Sequence, residues 1–241
     1  AWEEASVRIQ RLKEAAEVIK LLWSSSKDNL VNYAGEYYRL DAACLDQAPT
    51  RRPHPPIYVG ALGSSRTLRL VGELGDGWLS WICTPELFEK RLRVVHEGAS
   101  KVGRRVSEID AVVWLYVAVS EDRKVIRRAM NVGKALLATE RSVLRSLGLK
   151  TPPPKFSAQY VLASHKSLSN IAELVRDVPD EAVYKTVALG SADNCIELID
   201  RFVRRKATHI AIRDLGPNVE KDLEIFANKV IPYFKELEER I

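Results

Sequence analysis

An α/β fold built on a parallel sheet is what this sequence predicts, and three observations carry the prediction. Apolar, strand-like runs at residues 57–60, 77–82 and 111–119 each lead into an amphipathic, helix-like segment. That alternation is the pattern of parallel strands joined by helical crossovers. The first run, Pro56-Ile57-Tyr58-Val59-Gly60, is bounded by prolines and a glycine, as a strand buried on both faces would be. A third sign is the turn that follows it, Gly60-Ala61-Leu62-Gly63-Ser64-Ser65, which has small residues and a hydroxyl N-cap ahead of the helix over 66–74.

The remaining elements follow in order. Residues 2–23 have helical spacing, with Ile9, Leu12, Ala16, Ile19 and Trp23 inward, Val18 and Leu22 widening that face, and Arg8, Arg11, Lys13, Glu14 and Lys20 outward. Two β-prone runs around Gly35 predict a hairpin, with Tyr37 and Tyr38 on a half-buried strand face. Residues 48–56, with Arg51, Arg52 and four prolines, read as an extended loop. Thr84-Pro85-Glu86 is a helix start by hydroxyl cap, first-turn proline and acid, and Gly103 is its stop. The run at 111–119 is a strand, and Ser120 is expected to cap a helix over 121–138.

The middle is irregular. Helical pieces at 140–147, 167–178 and 180–187 surround the rigid connector Thr151-Pro152-Pro153-Pro154. Residues 134–187 read as an insertion within one domain spanning 1–241. The regular pattern resumes with a helix from Ser191 to about Arg205, a strand over 208–213 and a turn through Gly216-Pro217. A last helix follows, with Val219, Leu223, Phe226, Val230, Tyr233 and Leu237 inward and a kink at Pro232.

Composition narrows the function classes. A chain of 241 residues with 46% hydrophobic and 29% charged content has room for one large α/β domain. No run of about 18 apolar residues and no secretory h-region occurs, so neither a membrane span nor a signal peptide is expected. The net charge of +5 is spread over helices with acids between the bases, which argues against a nucleic-acid groove. Cys44, Cys83 and Cys195 are odd in number and far apart, as reduced core thiols of a cytoplasmic protein would be. His54, His96 and His165 lack metal-ligand spacing, and His209 reads as structural.

Taken together, Arg11-Leu12-Lys13-Glu14-Ala15 with Leu22-Trp23, Gly35-Glu36-Tyr37-Tyr38, Pro56-Ile57-Tyr58-Val59-Gly60-Ala61 and Gly75-Asp76-Gly77-Trp78 resemble, in that order, the luciferase-like monooxygenase superfamily. Residues 188–195 with Leu215-Gly216-Pro217-Asn218 and Val230-Ile231-Pro232-Tyr233-Phe234 look most like its coenzyme F420-dependent methylenetetrahydromethanopterin reductases. The resemblance implies a TIM-barrel enzyme that uses F420, or alternatively FMN, for hydride transfer with a small organic substrate. It aligns this chain with the later part of the fold, about the C-terminal half of the barrel plus the insertion. A closed barrel has eight strands, so the expectation is a fragment, one half of a two-chain enzyme, or a shortened relative that dimerises. A homo-oligomer or a second chain completing the barrel is the expected partner. The other reading is a non-catalytic half-barrel that binds a ligand or partner.

Site residues follow from both lines of reasoning. Taken by itself, the stretch Gly60, Ala61, Leu62, Gly63, Ser64 and Ser65 is a common βα turn, although its free N–H groups and helix dipole suit an anion. The resemblance implies that it holds the phosphate-bearing tail of the cofactor. Trp81, near a strand's C-terminal end, is a substrate contact or a core residue; Trp78 reads as core. Arg213 meets either an anionic substrate or, with more weight, Asp214 or Glu220 in a surface ion pair. No catalytic residue is assigned, because the family's first half carries most acid–base candidates.

Overall fold

Glu14, which helical periodicity sends to solvent, is only 2% exposed. It lies on α1 (Ala5–Ser24), and its carboxylate faces the hairpin of β1 (Val31–Ala34) and β2 (Arg39–Ala43). Oε1 accepts from the Glu36 N–H at 3.1 Å and from Gln10 at 3.0 Å, and Oε2 accepts from the N–H groups of Tyr37 and Tyr38 at 2.8 and 3.1 Å. A tight turn leaves N–H groups that need an acceptor. Supplying it brings this face of α1 inward, with Ala16 and Val18, and leaves Leu12 and Ile19 at 36% and 40% exposure, against the stripe expected of them.

The computed structural model describes residues 3–151 and 175–238. The chain packs as two compact units, Ala1–Leu79 with Arg91–Asp110, and Ser80–Lys90 with Ala111–Ile241. The proline connector, His165 and most of the helical piece expected at 167–178 fall outside the described residues.

The first unit carries α1, the hairpin and a parallel pair. β3 (Tyr58–Gly60) and β4 (Gly77–Ser80) pair Tyr58 with Gly77 and Val59 with Trp78, joined by α2 (Ser65–Leu74). Asp76 fixes the register by accepting from the Ile57 N–H at 2.8 Å. Trp78 is fully buried and donates its indole N–H to the Ala61 carbonyl at 3.1 Å, so it is a core residue. α3 (Pro85–Lys101) crosses α2 at two glycines. A Cβ on Gly72 would overlap the Val95 carbonyl, and one on Gly98 would overlap that of Arg69. Gly103 ends the helix region with φ +75°.

The second unit is organised on β5 (Asp110–Val119), whose residues from Ala111 on belong to it. β6 (Ala188–Gly190) pairs with Val117–Val119 along one edge of β5, and β7 (His209–Asp214) pairs with Val112–Val117 along the other, both parallel. β6 escapes the sequence reading because three residues are too short for periodicity. Covering helices are α4 (Arg123–Ala138), α5 (Arg141–Ser146), α6 (Asp180–Tyr184) and α7 (Ala192–Val203). The hydroxyl of Thr84 accepts from the Leu87 N–H at 3.2 Å, as the start signal predicts. The α4 cap is Asp122 rather than Ser120: it accepts from the Lys124 N–H at 2.7 Å, while Ser120 accepts from Asp122.

The last helical stretch breaks before its proline. α8 (Val219–Ile225) is followed by a π turn (Phe226–Val230) and α9 (Ile231–Glu238). Pro232 has no N–H to give the preceding turn, and the wider turn accommodates that loss, with the Ile231 N–H reaching the Phe226 carbonyl. The extra residue per turn rotates the apolar stripe. Phe226 and Val230 stay buried, whereas Val219 and Leu223, each 52% exposed, and Tyr233 turn outward. Cys83 and Cys195 are buried and not disulfide-bonded, but Cys44 is only half-buried.

Candidate cofactor and substrate sites

The β3–α2 turn has the geometry of an anion cradle. Gly63 sits at φ +128°, a conformation open mainly to glycine, and Leu62, Ser64 and Ser65 are exposed. Gly60 faces open space, and the buried Ala61 anchors the turn through its N–H to the Leu79 carbonyl at 3.3 Å. Ser64 holds the N-cap position but makes no side-chain cap, so the expected hydroxyl cap is absent and the first-turn N–H groups stay available.

Beneath this turn lies a charge that sequence reasoning missed. The guanidinium of Arg91, on α3, packs so closely that a Cβ on Gly63 would stand 2.9 Å from both Nε and Nη2. Arg91 is only 5% exposed. A buried guanidinium, a ten-residue helix presenting uncapped N–H groups and a glycine that clears the approach together fit a phosphate. In the sequence, Arg91 is one of many cations on a helix, with no local mark to single it out.

In the second unit, β5 offers an aromatic face. Residues paired in register on parallel strands share a face, so Trp114 and Tyr116 lie with Ala211 and Arg213. Trp81, half-buried, joins them: its ring is 6.1 Å from Trp114, tilted, and 5.8 Å from Tyr116, edge-on. Such spacings are normal for mutually stabilising aromatic pairs. The Trp114 indole N–H is buried and has no acceptor among the described residues. Burial pushes the Tyr116 phenol up, the Arg213 guanidinium draws it down and Glu140 adds to the rise, so it stays a protonated donor. Trp81 and Arg213 were therefore legible as candidates; Trp114 and Tyr116 were hidden inside an apolar run read only as a strand.

Arg213 does not form the ion pair expected with Asp214 or Glu220. Strand alternation places Asp214 on the opposite face, where it accepts from the Gly216 N–H at 2.9 Å. A cavity of about 480 Å³ lies where β5 and β6 end, lined by Ser120, Ser191, Asn218 and Asp222 among others. Among the described residues no cluster of His, Cys, Asp and Glu is arranged to hold a metal, and no helix is long and apolar enough to cross a membrane. His54 instead stacks on Trp23 and lies 3.8 Å from Asp76.

Comparison with known proteins settles the lineage. The family model of the luciferase-like monooxygenases matches residues 3–209. This chain belongs to that family. It is 28% identical over 234 residues to an F420-dependent glucose-6-phosphate dehydrogenase of Microbacterium testaceum, a match covering 96% of the chain and 62% of that protein. It is 28% identical over 243 residues to the 5,10-methylenetetrahydromethanopterin reductase of Archaeoglobus fulgidus, covering 97% and 68%. Among solved structures, the coenzyme F420-dependent tetrahydromethanopterin reductase of Methanopyrus kandleri superimposes with a TM-score of 0.76 at 23% identity, over 94% of this chain and 63% of that one. An F420-dependent secondary alcohol dehydrogenase, solved with an F420–acetone adduct, gives 0.71 at 21%, covering 95% and 63%. These likenesses establish the α/β fold of the luciferase-like TIM-barrel enzymes. The chain spans 62% and 63% of the length of the two dehydrogenases it matches first.

Proposed function

We propose that this chain is the cofactor-tail portion of an F420-dependent oxidoreductase, which transfers hydride between F420 and a small organic substrate. The observation that carries the reading is the buried Arg91 guanidinium under the Gly63 turn. Gly60, Ala61, Leu62, Gly63, Ser64 and Ser65 hold the phosphate-bearing tail, with backbone N–H groups above and Arg91 below. F420 supplies the hydride chemistry when bound; the chain supplies orientation and an apolar wall. Trp81 and Arg213 contact the substrate, with Trp114 and Tyr116 completing that wall. F420 is preferred to FMN because the relatives reported above are F420-dependent enzymes by name, or a reductase whose counterpart in Methanopyrus kandleri is.

The chain acts together with further polypeptide, either a second copy of itself or a second chain, to complete a barrel. The 43% exposure of Tyr58 on β3 supports this. The test is a titration of the purified chain with F420 and with FMN, followed by cofactor fluorescence and repeated with lysate-purified partner polypeptide added. Saturable binding of F420 in preference to FMN is expected. Equal, non-saturable responses to both under each condition would contradict the proposal.

A further inference from the structure

Asp222 takes the inward position on α8. It is 6% exposed, whereas its neighbour Leu223 is 52% exposed. A carboxylate occupies a site that amphipathicity would give to an apolar residue because it meets Asp214, at the end of β7, around Gly216. The Gly216 N–H donates to Asp214 Oδ1 at 2.9 Å. A Cβ on Gly216 would overlap Asp222 Oδ2 and stand 3.2 Å from Asp214 Oδ1, so only glycine lets both carboxyls close on the turn. The Oδ2 atom of each carboxyl is buried and has no donor among the described residues.

A buried carboxylate and a half-buried one, each with a buried Oδ2, repel strongly if both ionise at one turn, whereas a single proton between them partners the two Oδ2 atoms. We propose that Asp214 and Asp222 share one proton, that this proton latches α8 to the end of β7, and that its loss releases the turn over 214–218 and opens the cavity this turn and α8 line. Asp222, Asn218 and Pro217 are all walls of that cavity.

The surrounding charges leave the pair in control. Burial first, then the charge and hydrogen bond of Asp214, raise the Asp222 carboxyl to about 6, and Lys221 on the same helix opposes the rise. Lys221 and Lys229, the latter from the π turn, line the same cavity as Glu121 and Asp122 from the β5–α4 loop, so two positive charges stand against two negative ones there. Cys195 faces the pair from α7; burial and then Asp222 push its thiol up to about 12, so it stays protonated. A carboxyl raised in the folded state contributes stability that is present below the unfolded value of about 4 and is lost as pH rises through about 6.

The test is hydrogen–deuterium exchange of the intact chain between about pH 5 and pH 8, corrected for intrinsic rates, on the wild type and on Asp222→Asn. In the wild type, protection of amides over 215–226 should fall roughly tenfold across that range. In Asp222→Asn, whose amide donates to Asp214 at any pH, protection should stay near the low-pH wild-type level. Pairwise ¹³C titration of the aspartate carboxyls in the unaltered protein provides the second readout, independent of the variant's folding. Two coupled steps, one near pH 6, are expected. Constant protection in the wild type, the same loss in Asp222→Asn, or both carboxyls titrating once near pH 4 would each overturn the latch.

Discussion

The guanidinium of Arg91 lies under the α-carbon of Gly63, close enough that a Cβ there would stand 2.9 Å from Nε. That relationship joins the middle of α3 to the β3–α2 turn and gives a stretch of small residues a fixed positive floor. Gly63 is thus held by two constraints at once, its φ of +128° and the side chain below it. Gly63→Ala should cost about 1–3 kcal/mol, since both backbone strain and a shifted arginine enter. Urea unfolding checks this, and a loss below about 0.5 kcal/mol would mean that the turn relaxes freely.

Glu14 makes the hairpin depend on pH. Burial would raise its pKa, but hydrogen bonds from Tyr37, Gln10, Glu36 and Tyr38 outweigh that and hold the carboxyl below the usual glutamate range. The folded value is depressed, so the stabilisation is fully present above the unfolded value and disappears as pH falls through the folded one. Glu14→Gln should therefore lower Tm at neutral pH and leave it nearly unchanged in acid, where the wild type has lost the same interaction. A parallel drop at both pH values, read by thermal unfolding, would contradict this.

The crossing of α2 and α3 leaves no room at Gly72, where a Cβ would overlap the Val95 carbonyl. Gly72→Ala raises helix propensity, yet it should destabilise by about 1–3 kcal/mol because overpacking here is against backbone. Chemical denaturation decides the sign: a stabilised variant would show that the helices can separate without penalty.

Trp81, Trp114 and Tyr116 form one face with Arg213 across the strand pair. Trp81→Leu should reduce kcat/KM for the organic substrate at least about tenfold, a loss near 1.4 kcal/mol of transition-state binding. F420 affinity should be unchanged. Steady-state kinetics and a separate cofactor titration distinguish the two, and an equal loss in both would place the cofactor rather than the substrate at this face.

Much of the framework was legible from local chemistry. The apolar run of β5, the Thr84-Pro85-Glu86 start of α3, the hairpin around Gly35 and the stop at Gly103 each carry their own signal in neighbouring residues. What escaped depends on partners distant in sequence. Glu14 looks like any helix-surface acid until hairpin N–H groups 22 to 24 residues away need an acceptor. Arg91 looks like any helix-surface cation until Gly63 packs on it. Asp222 interrupts an apolar stripe because of Asp214, and the π turn shifts that stripe by an amount no fixed helical period contains. Trp114 and Tyr116 were visible as residues, but the face they share with Arg213 depends on a strand register set nearly 100 positions later.

The most direct test of the phosphate cradle compares two ligands on two proteins. Calorimetric titration of the wild type and of Gly63→Val is carried out with F420 and with a deazaflavin that lacks the phosphate-bearing tail. Wild type should bind F420 at least about tenfold more tightly than the tailless ligand, and the valine should abolish that difference while leaving tailless binding unchanged. Equal affinity of the wild type for both ligands, or an undiminished preference for F420 in Gly63→Val, would contradict the assignment of this turn.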